Sequence, residues 1–277
     1  MAKTEIIEMG RGVYARLHEG LTNAGFIVGD ESVLVIDSLR VPSFAKDLIR
    51  DIKTVTDKPV KYVVDTHSHW DHSWGNQEFP DAIIIGHENC YGEMLDVEAT
   101  TRWRNKVVAS NDPWSKEAAT VKITPPNLTF ATRMRLYFGG RQIDLRYFGR
   151  AHTSGDIFIH LPDDGILFTG DVAQNGGVPF LGDGYLEDWP STDARLLELP
   201  MEQFMAGHGP IGTPPDLHDA RDFIVDLLGN IRTSKLEHRT PIEASTVAVK
   251  DLYGKYGEWR SFERVEDTLP ELYRKIQ

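Results

Sequence analysis

The stretch THSHWDHSWGN, residues 66–76, places His67, His69, Asp71 and His72 within six positions, so three of the chain's ten histidines crowd into it. It follows an apolar run, VKYVVDTH (60–67), that predicts a strand leading straight into the cluster. In an extended segment, side chains two apart point to the same side. His67 and His69 can therefore converge on one point at the strand's end, while Asp71 and His72 face a second point from the turn beyond. Imidazole and carboxylate suit zinc or another borderline divalent metal. Trp70 alternates away from these groups and is expected to pack under them. Trp74 is expected to line the entrance.

Three further motifs offer donors. GRAHTSGD (149–156) sets His152 in a Gly-flanked loop just before a strand. LFTGDVA (167–173) ends an apolar strand abruptly at Asp171, and AGHGP (206–210) holds His208 between glycines. Each lies where a strand gives way to a loop, which is where α/β sheets assemble sites. Taken singly, His152 or His208 reads as a surface or capping residue and Asp171 as a turn residue. Five of the ten histidines in short motifs of compatible order argue for one shared site. His87, His160 and His218 lack ligand spacing and read as structural or surface residues. Cys90 reads as a small buried residue.

Outward from these motifs the chain alternates. Residues 24–37 form two apolar strands around Gly29-Asp30-Glu31. Residues 43–55 predict a helix capped by Ser43, with Phe44, Leu48, Ile49, Ile52 and Val55 on one face. Residues 82–87 are a short buried strand and residues 90–118 are mostly helical. A hairpin turns at Gly139-Gly140, and strands follow at 157–162 and 165–171. Apolar spacing from Leu217 to Ile231, a capping box at Thr240–Glu243 and a short apolar repeat from Leu269 to Ile276 predict a helical C-terminus. The class is α/β. We expect one domain over 1–277, with a core at about 12–212 and a helical extension at 213–277.

Composition narrows the functional classes. The formal net charge of -12 disfavours nucleic acid as a partner, RWR (102–104) being the only small basic candidate. One cysteine permits no intramolecular disulfide. No segment looks like a membrane span or a signal peptide, so a cytoplasmic protein acting on a small molecule is expected, with homo-oligomerisation left open.

In order, THSHWDH, AHTSGD, FTGD and GHGP over about residues 12–212 resemble the metallo-β-lactamase superfamily. The resemblance implies a four-layer αβ/βα sandwich with a metal site along one edge of its two sheets. Carried over, His67, His69 and His152 would hold a first metal, Asp71, His72 and His208 a second, and Asp171 would bridge them. Two divalent ions follow, normally Zn2+, with Mn2+ or Fe able to occupy similar sites. The commonest zinc β-lactamases carry cysteine where Asp171 stands, and flavodiiron-type members carry glutamate where His69 stands. The pattern here is that of glyoxalase II-like and lactonase-like hydrolases.

The implied reaction is attack of a metal-activated water on an ester, thioester, lactone or amide carbonyl. Asp171 would position that water and Asp71 would accept its proton. Asp65, Thr153 and Asp156 are candidates to orient ligand imidazoles. The Gly-rich loop 174–189, with Phe180, Tyr185 and Trp189, is a candidate substrate wall. Rival readings are a phosphodiesterase or nuclease of the same fold, a β-lactamase-like activity, a biosynthetic thioesterase or cyclase, and a non-catalytic metal-binding protein.

Overall fold

All four residues of Val33–Ile36 are buried, yet the two faces of this strand go to different places. Leu34 and Ile36 point into a core shared with a second sheet, whereas Val33 and Val35 pack against a helix. The same period-2 division recurs in Ile157–Leu161, where Ile157, Ile159 and Leu161 enter the shared core and Phe158 faces the C-terminal helices. Strands buried on both faces have to be covered on both sides, and a four-layer sandwich follows.

The computed structural model describes residues 3–277, as follows. Strands β1 (Thr4–Gly10), β2 (Val13–His18), β3 (Ala24–Val28) and β4 (Val33–Ile36) precede helix α1 (Pro42–Val55) and β5 (Val60–Val64). Helix α2 (Trp70–Ser73) runs into a 3-10 turn at Trp74–Glu78, then β6 (Ile83–His87). Helices α3 (Glu88–Leu95), α4 (Val97–Ala109) and α5 (Ser115–Ala118) lead to β7 (Leu128–Phe130), which completes a seven-stranded sheet in sequential order β1 to β7. The second sheet holds β8 (Arg133–Phe138), β9 (Arg141–Tyr147), β10 (Ile157–Leu161), β11 (Ile166–Gly170) and, after α6 (Trp189–Leu196), β12 (Gln203–Ala206). Its order is β12-β11-β10-β9-β8. Helices α7 (Pro214–Leu236), α8 (Pro241–Tyr256) and α9 (Arg264–Lys275) close the chain. No helix among the described residues is long and apolar enough to cross a membrane.

Each layer has its own contacts. α1 places Ala45, Leu48 and Ile52 on the outer face of the first sheet. Phe223, Leu227 and Ile231 of α7, Ala248 and Leu252 of α8, and Leu269 of α9 cover the second sheet. The hairpin β8–β9 turns at Gly139-Gly140, both with positive φ, as a two-residue turn between twisted strands requires. Thr240 and Glu243 form the capping box expected at the start of α8. Ser43, by contrast, does not cap α1. Val41 is the cap residue and Pro42 starts the helix, while the Ser43 amide and hydroxyl both donate to the Glu117 carboxylate at 2.6 Å.

The strand expected to reach His67 stops at Val64. His67 lies in an irregular loop, and His69 is the cap residue of α2. The loop is held from below, where the Ser38 amide donates to the His72 carbonyl at 2.8 Å and the Gly75 amide to the Leu39 carbonyl at 2.9 Å. A methyl group on Gly75 would collide with the Ser38 carbonyl oxygen and touch Ala45. Gly75→Ala should therefore cost about 1–3 kcal/mol of stability, the range for overpacking. Urea denaturation checks this, and an unchanged midpoint would contradict the tight seating of 72–75 on 38–41.

Candidate metal centre

Four chain segments end at one edge of the sandwich. The loop after β5 brings His67, His69, Asp71 and His72, the loop before β10 brings His152, the end of β11 brings Asp171, and the residues after β12 bring His208. Their donor atoms fall into three groups, each within 4.8 Å: His67–His69–His152, His67–His72–Asp171 and Asp71–His72–His208. The groups overlap, so all seven predicted residues share one pocket. Asp171 stands between the ends, 3.4 Å from His72 Nε2, 3.3 Å from His208 Nε2 and 3.7 Å from His152 Nε2. Gly207 is required beside it, because a methyl group there would collide with Asp171 Oδ1.

Outer hydrogen bonds decide which imidazole nitrogen faces inward. His208 Nδ1 donates to the Leu21 carbonyl at 3.1 Å, which turns Nε2 toward the aspartates. His72 Nδ1 donates to Asp37 Oδ2 at 2.7 Å. His67 Nδ1 donates to Thr66 Oγ1 at 2.9 Å, and that hydroxyl donates onward to Asp37 Oδ2 at 2.8 Å. His69 sets Nε2 3.3 Å from Asp183, with Nδ1 turned to His152 Nε2 at 2.8 Å. The inward His67 Nε2, His72 Nε2 and Asp171 Oδ1 are buried without a hydrogen-bond partner. Unpartnered inward lone pairs of nitrogen and carboxylate oxygen are the donor set a borderline divalent cation takes.

The electrostatics divide the pocket in two. Burial and the neighbouring imidazoles of His72, His152 and His69 hold His67 well below its ordinary value. Burial and the His69 imidazole take His152 down to about 3. At the other end, burial favours the neutral imidazole of His208, but Asp171 and Asp71 outweigh it and raise the group to about 10. Burial likewise opposes ionisation of Asp71 and Asp171, yet His72 and His208 keep both well below the usual carboxylate range.

A second layer of polar residues fixes the loops. Asp37, at the end of β4 with φ of 60°, accepts from the Thr66 amide, the Thr66 hydroxyl and His72. Thr22 donates to Asp71 Oδ2 at 2.7 Å and accepts from Arg40, whose guanidinium lies 4.7 Å from the Trp114 ring. Glu93 of α3 accepts from the Ser68 hydroxyl and from the Ser154 amide and hydroxyl, tying the two histidine loops together. The sequence reading passed over Asp37, Glu93, Thr22 and Asp183. The only sign of Asp37 was an aspartate closing an apolar strand.

Several expectations need correction. Asp65 accepts from the Asn76 side chain at 2.7 Å, and Asp156 accepts from the amide and hydroxyl of Thr153, so these three are hydrogen-bonded to neighbouring loop groups rather than to an imidazole of the cluster. Trp74 does lie along a small cleft beside His69, but only its edge is open. At 3% exposure it packs with Val41, Val107 and Val121, while Trp70 is half-buried with Arg40 5.3 Å from its ring. From the 174–189 loop Asp183 comes within 3.3 Å of His69 Nε2, and Phe180 sets its ring 6.0 Å from that of His69 and 5.5 Å from that of Trp103. Trp189 is wholly buried behind His152, and Tyr185 sits under Arg150. His87 and His160 bond to the Ala131 and Pro200 carbonyls, and Cys90 is buried away from the cluster.

The family model of the metallo-β-lactamase superfamily matches residues 18–229, and the chain belongs to that family. The human protein named acyl-coenzyme A thioesterase MBLAC2 is 29% identical over 206 residues, covering 67% of this chain and 72% of that protein. The metallo-β-lactamase type 2 of Elizabethkingia meningoseptica is 25% identical, covering 67% and 68%. The alpha subunit of a 2,4-dinitroanisole O-demethylase from Nocardioides sp. (strain JS1661) is 25% identical, with 56% of its length covered. A solved metallo-β-lactamase from Pontibacter korlensis superposes with a TM-score of 0.64 over 80% of this chain and 99% of its own, at 21% identity, which shows the shared fold. Family and site together make the protein a metal-dependent hydrolase of the metallo-β-lactamase superfamily.

Glu93→Ala removes the carboxylate that joins Ser68 to Ser154. Charge-assisted hydrogen bonds of this kind are worth roughly 1.5–3 kcal/mol. We expect a loss of that order in urea denaturation, together with faster amide exchange in both 66–69 and 152–155. Exchange accelerated in only one of the loops would contradict the tie.

Proposed function

We propose that the pocket holds two divalent cations, zinc foremost, and hydrolyses an ester or thioester. The observation that carries this reading is the position of Asp171 between the two ends of a seven-donor cluster in which His67 Nε2, His72 Nε2 and Asp171 Oδ1 are buried without a hydrogen-bond partner. His67, His69 and His152 would hold one ion, Asp71, His72 and His208 the other, and Asp171 both. When bound, such ions supply Lewis acidity, which acidifies water and polarises a carbonyl.

The remaining work falls to this chain's own groups. Asp171 orients the attacking water, and Asp71, held by Thr22 and backed by Arg40, accepts its proton. Asp37 keeps the outer nitrogen of His72 protonated, so that its inner nitrogen stays available. Trp103 and Phe180 screen the His69 side from water. A thioester is favoured because relatives named acyl-coenzyme A thioesterase match over about two thirds of the chain.

The test is a substrate panel on zinc-loaded protein: thioesters, esters, lactones, β-lactams and bis-p-nitrophenyl phosphate. Turnover of thioesters or esters is expected, and turnover of the phosphodiester alone would overturn the reading. Asp171→Ala should lower kcat by about a hundredfold or more, the scale seen when a positioned electrostatic group is removed, with circular dichroism unchanged. Full turnover by Asp171→Ala would contradict its role. Asp37→Asn should weaken zinc binding by about 10–100-fold, as competition with a chromophoric chelator would show.

A further inference from the structure

A cleft of about 440 Å³ opens beside His208, the one histidine of the cluster with substantial exposure, at 26%. One wall is formed by β1, β2 and the residues flanking them, and carries Lys3, Glu5 and Glu19. The other carries Gln174, Arg260 and Arg264. Both arginines lie beyond residues 18–229 that match the family, in the segment joining α8 to α9 and in the first residue of α9. They belong to this chain's own helical extension.

Three features of this wall point to a ligand. First, neither guanidinium meets a carboxylate among the described residues. Arg260 donates to the Asn175 carbonyl at 2.6 Å and Arg264 to the Val178 carbonyl at 2.9 Å. Guanidinium stays protonated at any working pH, and its five donors outnumber the single carbonyl bond each one makes here. Second, Gln174 is 4% exposed, and its amide nitrogen has no partner. A buried N–H without an acceptor is costly, and an acceptor brought by a ligand would satisfy it. Third, the groups are held together and against the metal cluster. A methyl group at Gly177 would lie 2.8 Å from Arg260 Nη2 and 2.9 Å from Gln174 Oε1, and one at Gly209, next to His208, would collide with the Arg260 guanidinium. The pairing of Gly177 with Arg260 and the bond from the Val178 amide to the Arg260 carbonyl at 2.9 Å fix that position.

We propose that Arg260, Gln174 and Arg264 form a subsite for an anionic group, phosphate or carboxylate, on the leaving-group portion of the substrate. The inference rests on the proposed hydrolysis for where that group belongs. With a net charge of -12, the rest of the surface repels anions, so a charged substrate needs local cations of this kind. Glu5 and Glu19 on the facing wall favour a ligand that reaches the arginines and leaves the β1–β2 side to water.

Binding tests this separately from catalysis. Desulfo-coenzyme A, which has no thiol to reach a metal, and S-methylglutathione are titrated into zinc-loaded protein by calorimetry. Saturable one-to-one binding of either probe is expected, the first indicating phosphate and the second carboxylate. Arg260→Gln should weaken it about tenfold, and Gln174→Leu should weaken it in the same direction. In parallel, the kcat/KM ratio of an acyl-coenzyme A over the same acyl N-acetylcysteamine thioester should fall about tenfold in Arg260→Gln. A merely structural arginine would lower both substrates alike and leave the ratio intact. Binding of neither probe, or binding undiminished in both variants, would overturn the subsite. Binding without hydrolysis of any thioester or ester would leave the subsite standing and refute the proposed reaction.

Discussion

Two aspartates, the buried Asp171 and the half-buried Asp71, need positive charge beside them, and much of the site's structure follows from that need. An uncompensated carboxylate in a protein interior is too costly to keep. Here the compensation comes from groups that can exchange roles. The aspartates shift His72 and His208 toward the protonated form, while burial pushes His67 and His152 toward the neutral form. A cation entering the pocket would displace those protons and find neutral imidazoles already turned toward it.

The loops that carry these groups are anchored by apolar residues such as Trp74, Ala151 and Val172, and polar ties add to that packing. Carboxylates outside the cluster supply those ties: Asp37 under His72 and Thr66, Glu93 between Ser68 and Ser154, and Asp156 inside the His152 loop. The sandwich supplies the rigid frame, since β4, β5, β11 and β12 all end at the same edge. The division of labour is physical. The inter-sheet core fixes where the strands end, and buried hydrogen-bonded acids fix what the side chains beyond those ends can reach.

The sequence carried much of this and missed the rest for identifiable reasons. The strands announced themselves because their runs are buried and apolar, and the hairpin because Gly139-Gly140 is a specific turn signal. The seven clustered residues were readable because histidine is rare and its motifs were Gly-bounded. The extension of β5 to His67 failed because hydrophobicity stops at Val64 and alternation alone cannot distinguish a strand from an irregular loop. Ser43 looked like a cap until Pro42 claimed the first position of the helix. Asp37 and Glu93 were invisible because they act from 35 and 61 positions away in the chain, on His72 and Ser154 respectively. Trp70 does not pack away from the site as alternation implied, because it stands in a helical turn rather than in an extended segment, and it lines the cleft beside His69 together with Trp74.

The most direct test is the metal stoichiometry of chelator-stripped protein titrated with zinc and followed by mass spectrometry under non-denaturing conditions. Two equivalents should bind, and His208→Ala should lose the second while retaining the first. A wild-type protein that never takes up more than one equivalent, even with excess zinc, would contradict the paired-cation reading of the cluster.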